Sequence, residues 1–175
     1  MLNLKEALAY TPFLKFFYSP KQVHSLGVIL MSLEAVAYTS SAIHGITDDS
    51  LEILLLGARK KNEELGVTGV LLYHDGSFFQ YFEGSPNAVE EVYDRIRRSP
   101  MHHGIVELVE GPIDHRSFSN WLMGFTRAPA TKLLQLSNAS WKARMAQANF
   151  TAPTVNSDGL DLLLQFWASN RRRMY

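Results

Sequence analysis

The stretch TGVLLYHDGSFFQYFEG, residues 68–84, decides the fold. Two runs of β-forming residues, Thr68–His74 and Ser77–Gly84, flank the dipeptide Asp75-Gly76. An aspartate-glycine pair suits a type I′ turn because both central residues of that turn take positive φ angles. The stretch therefore predicts a β-hairpin, and the neighbouring elements can be placed relative to it.

A helix is predicted on each side of this hairpin. The first begins at a pair resembling a capping box, Asp49 and Glu52, and ends at Gly66. The second begins at Pro86, which is favoured in a first helical turn, and ends near Pro100. Apolar residues recur at helical spacing in both: Leu51, Leu54, Leu55, Ala58 and Leu65 in the first, and Val89, Val92, Tyr93 and Ile96 in the second. Each helix should therefore pack one apolar stripe on a core.

Three further strands are predicted, at Leu33–Ser40, Ile105–Leu108 and Trp121–Phe125. The resulting order, βαββαββ, is that of a ferredoxin-like α+β fold, in which two helices cross one face of a largely antiparallel sheet. The other face would be apolar and would need a cover. Two predicted C-terminal helices, Trp141–Asn149 and Asp158–Asn170, can provide that cover.

We expect three parts in the chain: an N-terminal extension of unknown role (1–30), a folded domain (31–126) and a C-terminal helical cap (127–175). Met31 is followed at once by the first strand pattern. This arrangement leads to the hypothesis that translation starts at Met31 and that the extension is dispensable.

Composition limits the possible functions. Lys plus Arg and Asp plus Glu number 17 each, so no net charge attracts nucleic acid or an anionic membrane, and no nucleic-acid-binding motif is evident. The absence of cysteine excludes disulfides and thiolate chemistry and fits a cytoplasmic location. The apolar run Leu26–Leu33 is too short to span a membrane. His102 and His103 are adjacent and point apart in a strand, which argues against a metal site.

Three polar side chains stand where an apolar core is expected. Asn62 lies on the buried stripe of the first helix, and Gln80 shares one face of its strand with Phe78 and Phe82. Tyr38 lies on the first strand, where a buried hydroxyl needs a partner. A bond to backbone or water, a solvent-facing edge position, and an ordinary core tyrosine would each explain one of them. Together, a phenol and two amides can instead line a pocket for a planar heterocycle.

These residues resemble the BLUF family, the sensors of blue light using FAD, over residues 33–126. Four segments in the same order and context carry the resemblance: the strand with Tyr38, NEELGVTGVLLY from Asn62, GSFFQYFEG from Gly76, and WLMGF from Trp121. The resemblance implies a domain that binds FAD non-covalently and responds to blue light.

The resemblance also implies roles for individual residues. Tyr38 would hydrogen-bond Gln80, which reaches the flavin ring, and Asn62 would hold the polar edge of that ring. After excitation, Tyr38 would give up an electron and then a proton, and a rearranged Gln80 would bond the flavin carbonyl in the lit state. Trp121 and Met123 would carry the change out of the pocket.

Further residues are implied to hold the cofactor. Three apolar side chains would sandwich the isoalloxazine between the two helices: Leu54, Leu55 and Ile96. The family's Asp-x-Arg-His sequence, whose arginine and histidine help hold the flavin phosphates, reads Ser99-Pro-Met-His102 in this chain. Only His102 matches, so Lys61 or Arg95 is expected to compensate, because phosphate contacts tolerate several donor geometries.

The sequence is therefore interpreted as a stand-alone blue-light photoreceptor and not as an enzyme. The roughly 50 residues after Phe125 are too few for an ordinary cyclase or phosphodiesterase domain, so we expect signalling to an unknown downstream protein. The C-terminal helices could also support a homo-oligomer. Two alternatives stay open: an acylphosphatase-like enzyme on the same scaffold, and a flavin-free interaction module. The first would need a cation in the loop Ser40–Gly45, which has none, and the second is kept open by the missing arginine.

Overall fold

The computed structural model describes residues 32–43, 46–141, 143–144, 154–155 and 158–170. The chain divides into two units, residues 1–32 and 33–175, and every described residue except Ser32 belongs to the second. The expected N-terminal extension and the hypothesis of a start at Met31 therefore lie outside the described residues.

The described part of the chain contains a five-stranded sheet. Its strands are β1 (Leu33–Ala42), β2 (Thr68–His74), β3 (Ser77–Gly84), β4 (His102–Ile113) and β5 (Gly124–Arg127). Their order across the sheet is β4-β1-β3-β2-β5. Neighbouring strands run antiparallel except β2 and β5, which are parallel. The predicted ferredoxin-like α+β fold is confirmed.

The hairpin between β2 and β3 has the geometry that its turn residues predict. Asp75 and Gly76 have φ angles of 37° and 78°, both in the left-handed region that a type I′ turn requires. On its other side β3 pairs with β1, which places Gln80 directly opposite Tyr38. Two of the three polar residues that the sequence singles out are therefore cross-strand neighbours.

Two helices lie on one face of the sheet: α1 (Asp48–Leu65) and α2 (Pro86–Arg97). The predicted cap at Asp49 is wrong, because the hydroxyl of Thr47 accepts the amide of Ser50 at 3.2 Å and caps α1. Asp49 lies inside the first turn, where its charge complements the helix dipole. The end of α1 is as predicted, at Gly66 with a φ angle of 64°.

The opposite face of the sheet is covered by residues that follow it in the chain. Two helices take part: α3 (Ala130–Asn138) and α4 (Asp158–Asn170). Trp141, Leu163 and Trp167 pack with Phe79 and Tyr81 of β3 in one buried cluster. The predicted C-terminal cover is confirmed, and the helix-bearing face is left to form the site.

Within the cover, one prediction is wrong and one helix was missed. The predicted helix Trp141–Asn149 is replaced at its described residues after Trp141 by β6 (Ala143–Arg144), which pairs with β7 (Thr154–Val155). The other residues of that predicted helix lie outside the described residues. The helix α3 was not predicted, although Pro129 before the pair Leu133 and Leu136 is a usable signal, since proline is common at a helix start.

The last two strands of the sheet have other bounds than predicted. β4 is 12 residues long and pairs with β1 along its length. Its outer side is exposed, so apolar alternation reveals only part of it. The predicted strand start at Trp121 is wrong because β5 begins at Gly124. Trp121 and Met123 belong to the β4–β5 connection, residues 114–123, which is named the connecting segment below.

Among the described residues, none of the helices combines the length and the apolar character that crossing a bilayer requires.

Candidate functional site

A cavity of about 400 Å³ lies between the two helices and the sheet. Its volume is within the usual range of sites for small organic ligands, and its wall is mostly apolar with a few polar groups. Nine of the eleven residues that the sequence proposes for the site line this cavity: Tyr38, Leu54, Lys61, Asn62, Gln80, Arg95, Ile96, His102 and Met123. The other two, Leu55 and Trp121, lie elsewhere.

Tyr38 and Gln80 form a bonded pair at the sheet side of the cavity. Their exposed fractions are 1% and 6%, and the Tyr38 hydroxyl donates to Oε1 of Gln80. Burial, with a smaller effect of Tyr93, raises the pKa of Tyr38 far above its usual range, so the phenol is neutral and is a donor. Because Oε1 is the acceptor, Nε2 of Gln80 faces Met123, whose sulfur lies 3.6 Å away.

Asn62 lines the cavity from α1 and is 2% exposed. Its Nδ2 donates to the backbone carbonyl of Leu122. This bond satisfies the amide nitrogen with neighbouring backbone, one of the explanations that the sequence leaves open. No described residue donates to Oδ1 of Asn62 in the structure. That oxygen is therefore left for a ligand in the cavity.

The apolar walls come from both helices. Leu54 of α1 and Ile96 of α2 line the cavity, as a sandwiched planar ring requires. Leu55 does not line it and packs in a buried cluster with Leu51 and Leu71. Leu55 therefore packs against the sheet and not on the cavity.

Trp121 lies on the face of the sheet opposite the cavity. It is partly buried and packs edge-on against Trp167 of α4, with ring centroids 5.1 Å apart. Met123, two residues later, is 3% exposed and lines the cavity. The connecting segment therefore crosses from one face of the sheet to the other between these two residues.

Two cationic side chains line the cavity, and they differ in whether a carboxylate is paired with them. Lys61 contacts Glu91 at 2.9 Å and Glu64 at 3.7 Å. The hydrogen bond with Glu91 is the main cause of a raised pKa at Lys61. Arg95 is exposed and has no carboxylate partner among the described residues. Arg95 is therefore the cation that can meet an anionic group without first losing an ion pair.

His102 lines the cavity beside Tyr38. Its ring stacks on that of Tyr38 with centroids 6.2 Å apart, and its Nδ1 lies 3.0 Å from Oγ of Ser40. Burial, with a smaller effect of His103, lowers the pKa of His102. Met101 also lines the cavity, at the position where the resemblance expects an arginine.

Several cavity residues were missed from the sequence. Ser50, Gly57 and Phe78 are examples. Gly57 carried a usable signal, because glycine inside a helix costs about 1 kcal/mol relative to alanine and usually has a packing reason. A Cβ at this position would lie 4.0 Å from the Arg95 guanidinium, which is an ordinary contact distance, so the position has room for an alanine.

The described residues contain no group of three or more His, Asp or Glu side chains placed to hold a metal ion. With its apolar walls and its tyrosine–amide floor, the site is that of a domain for a planar organic cofactor on a ferredoxin-like fold. Residues 33–124 match the family described as sensors of blue-light using FAD. The chain belongs to this blue-light photoreceptor family.

The relatives include light-regulated proteins of several kinds. This chain is 31% identical to photoactivated adenylate cyclase subunit beta of Euglena longa over 93 residues, which are 53% of this chain and 11% of the relative. Over 59 residues, 34% of this chain and 15% of the relative, it is 37% identical to the blue light- and temperature-regulated antirepressor BluF of Escherichia coli strain K12. The chain spans about a tenth of the length of the photoactivated cyclases that it matches.

Two solved structures are similar over most of their length. The dark-state structure of BlrB, a BLUF protein, is 29% identical with a TM-score of 0.57, and the match covers 61% of this chain and 86% of BlrB. The photo-activated state of BlsA is 27% identical with a TM-score of 0.58, and the match covers 77% of this chain and 93% of BlsA.

Proposed function

We propose that this chain is a blue-light photoreceptor that binds FAD in the cavity between α1 and α2 and signals by rearranging the Tyr38–Gln80 pair. The observation that carries the proposal is the buried hydrogen bond from Tyr38 to Gln80 beside Met123. Family membership supports flavin as the cofactor. Residues 31–126 would be the flavin-binding domain, and residues 127–175 its cap.

The residues of the cavity fit a flavin. The isoalloxazine ring is flat, and apolar side chains from two facing helices, Leu54 and Ile96, suit its two surfaces. Its polar edge has both donors and acceptors, which match the carbonyl of Asn62 and the amide of Gln80. When bound, flavin would supply absorption of blue light and an excited state that accepts an electron.

Tyr38 is placed to give an electron and to release a proton in a defined direction. Its hydroxyl hydrogen points at Oε1 of Gln80, so oxidation of the ring would make that hydrogen more acidic at a position where an acceptor lies. Its raised pKa keeps the proton in place until then. In the resting state, therefore, the proton that the light reaction would move is the hydroxyl proton of Tyr38, which is hydrogen-bonded to Gln80.

Gln80 is the part of this network that can take two arrangements. Its present partners are the hydroxyl of Tyr38 and the thioether of Met123, and thioether sulfur is a weak acceptor. Each exchanged hydrogen bond changes the free energy by about 1 kcal/mol net, so two arrangements of the amide can lie close in energy. A small change at the cofactor is then enough to change which arrangement is populated.

The change at Gln80 would leave the cavity through the connecting segment. Met123 contacts Gln80 on one face of the sheet, and Trp121 contacts Trp167 of the cap on the other. We propose that the cap passes the signal to a separate partner protein or to a second copy of the chain. The role is sensory, and no substrate is turned over in this domain.

Phosphate binding is proposed to rest on Arg95, helped by Lys61 and His102, which line the same cavity. Arg95→Gln should lower the affinity for FAD, while the affinity for riboflavin, which has no phosphate, should stay unchanged. Lys61→Gln should have the smaller effect because Lys61 is already paired with Glu91. Equal losses for FAD and riboflavin would contradict this assignment.

The proposal is tested by the absorption spectrum of the purified protein before and after blue light. We expect a yellow protein whose flavin band shifts slightly to longer wavelength in light and returns in the dark. A colourless protein that also fails to take up added FAD would contradict the proposal. That result would favour a flavin-free interaction module, since Met101 replaces a phosphate-binding arginine.

A further inference from the structure

The connecting segment is tied to the sheet by a buried carboxylate. Glu83 of β3 is 0% exposed. Four donors bond its two oxygens: Phe118 N at 2.6 Å and Thr68 Oγ1 at 3.3 Å on Oε1, and Ser117 N at 3.0 Å and Tyr81 Oη at 3.1 Å on Oε2. A backbone N–H can only donate, so each oxygen of Glu83 accepts from one backbone N–H.

Arg116 strengthens the same attachment. Its guanidinium donates to Oγ1 of Thr68 at 2.8 Å, to the carbonyl of Glu83 at 2.9 Å and to the carbonyl of Gly66 at 2.6 Å. The hydroxyl of Thr68 accepts from Arg116 and donates to Glu83, so it links the cation to the anion. Residues 116–118 are therefore fixed to β2 and β3 by hydrogen bonds to charged groups, which are the stronger kind.

The other end of the connecting segment is held at the cavity. The carbonyl of Leu122 accepts from Asn62, and the carbonyl of Met123 accepts from Arg59 at 3.1 Å. The sulfur of Met123 faces Gln80. Gln80 and Glu83 are three residues apart on β3 and point to opposite faces. One strand thus holds both ends of the segment, strongly at the Glu83 end and weakly at the thioether.

We propose that Glu83 is a positioning residue for the photosensing site. By fixing residues 116–118 it limits how far the connecting segment can move, and so it keeps Met123 opposite Gln80. The inference rests on the proposed function, because the quantity it governs is the return of the Gln80 network after light. With the hydrogen bonds of Glu83 intact, the return must work against a stiff segment. Without them fewer bonds hold the segment, so Met123 moves more easily and the return is faster.

The test uses the full chain with bound FAD and the variant Glu83→Gln. The amide oxygen of Gln can still accept from one of the N–H groups of Ser117 and Phe118, but its nitrogen cannot accept from the other, so part of the attachment is lost although the side chain keeps its size. We expect flavin binding and the light-induced shift to remain. Dark recovery should be at least about fivefold faster, as expected when hydrogen bonds to a charged group are lost.

Two controls distinguish this positioning role from the effect of losing a negative charge and from the effect of a general loss of stability. Glu90→Gln removes the same charge from the exposed side of α2 and should leave the recovery rate unchanged. Val89→Ala destabilises the buried side of α2, away from the connecting segment, and should lower the unfolding midpoint without changing recovery. If Glu83→Gln does not fold, Thr68→Val is the substitute, because it removes only the hydroxyl that links Arg116 to Glu83.

The outcomes are distinguishable. Faster recovery in Glu83→Gln, or in Thr68→Val in its place, with unchanged recovery in both controls supports the inference. Recovery at the wild-type rate in the folded variant overturns it, as does equal acceleration in Val89→Ala, which would reduce Glu83 to a structural role. A wild-type protein that binds FAD but gives no light-induced shift would contradict the proposed function itself.

Discussion

Replacing Tyr38 by Phe and Gln80 by Leu, singly and together, should reveal strong coupling between the two side chains. Tyr38→Phe leaves the carbonyl of Gln80 without its donor, and Gln80→Leu leaves the hydroxyl of Tyr38 without its acceptor. Both groups are buried, so each single substitution should lower the free energy of unfolding by about 1–3 kcal/mol. In the double variant neither group is stranded.

The loss in the double variant should therefore be smaller than the sum of the single losses, by about 1–2 kcal/mol. For a chain of this length, 1 kcal/mol corresponds to a change in Tm of about 2–4 °C. Urea unfolding followed by circular dichroism measures these differences, first on flavin-free protein and then with saturating FAD.

Gln135→Leu is the matched control, because Gln135 lies on the exposed side of α3. It should change the free energy of unfolding by less than about 0.5 kcal/mol. Losses in the Tyr38 and Gln80 variants that add to within about 0.3–0.5 kcal/mol would refute the reasoning, since uncoupled sites behave in that way.

Three further perturbations test the site and its support. Because burial and then His103 lower the pKa of His102, the unfolded state binds that proton more readily; the free energy of unfolding should fall as pH drops below about 6.5, and His102→Gln should flatten this dependence, while His103→Gln, which removes only the smaller cause, should flatten it less. Asn62→Leu removes the donor to the partly buried carbonyl of Leu122 and should cost about 0.5–1.5 kcal/mol of stability and a factor of about 2–10 in flavin affinity; unchanged values in unfolding and in fluorescence titration would exclude this role. Gly124→Ala places a Cβ 2.4 Å from the Trp167 ring and should lower stability by about 1–3 kcal/mol, so an unchanged unfolding midpoint would show that the cap is packed differently.

Much of the fold can be predicted from the local conformations that particular residues favour. Asp75-Gly76 requires positive φ angles at two positions, Gly66 ends a helix, and Pro86 begins one. These signals depend on the conformation of a few consecutive residues, so they can be read without knowing what packs nearby. The order and bounds of β2 and β3 were predictable for this reason.

The strand predicted to start at Trp121 is a case in which local conformational preferences give the wrong strand boundary. The apolar run around it is typical of a strand, yet the carbonyl of Trp121 accepts from Gly69 and that of Leu122 from Asn62. These donors are about 50 to 60 residues distant in sequence, and local pattern contains no information on them. Leu55 packs against the sheet while Leu54 lines the cavity, since the apolar stripe of α1 is wide enough to face both.

The candidate site could be predicted where a polar residue interrupts an apolar pattern. Asn62 and Gln80 are noticeable for that reason, and both line the cavity. Glu83 was not noticeable, because a glutamate near the end of a strand is ordinarily solvated. Its burial depends on the backbone N–H groups of residues 117 and 118, which only the folded chain brings to it.

The central claim is that light rearranges a network in which Gln80 is indispensable. The most direct measurement is the difference in absorption between light and dark for the wild type and for Gln80→Leu, both with bound FAD, and with Gln135→Leu as the control. We expect a reversible shift to longer wavelength in the wild type and in Gln135→Leu, and none in Gln80→Leu. A shift of normal size in Gln80→Leu, or none in a wild type that retains FAD, would contradict it.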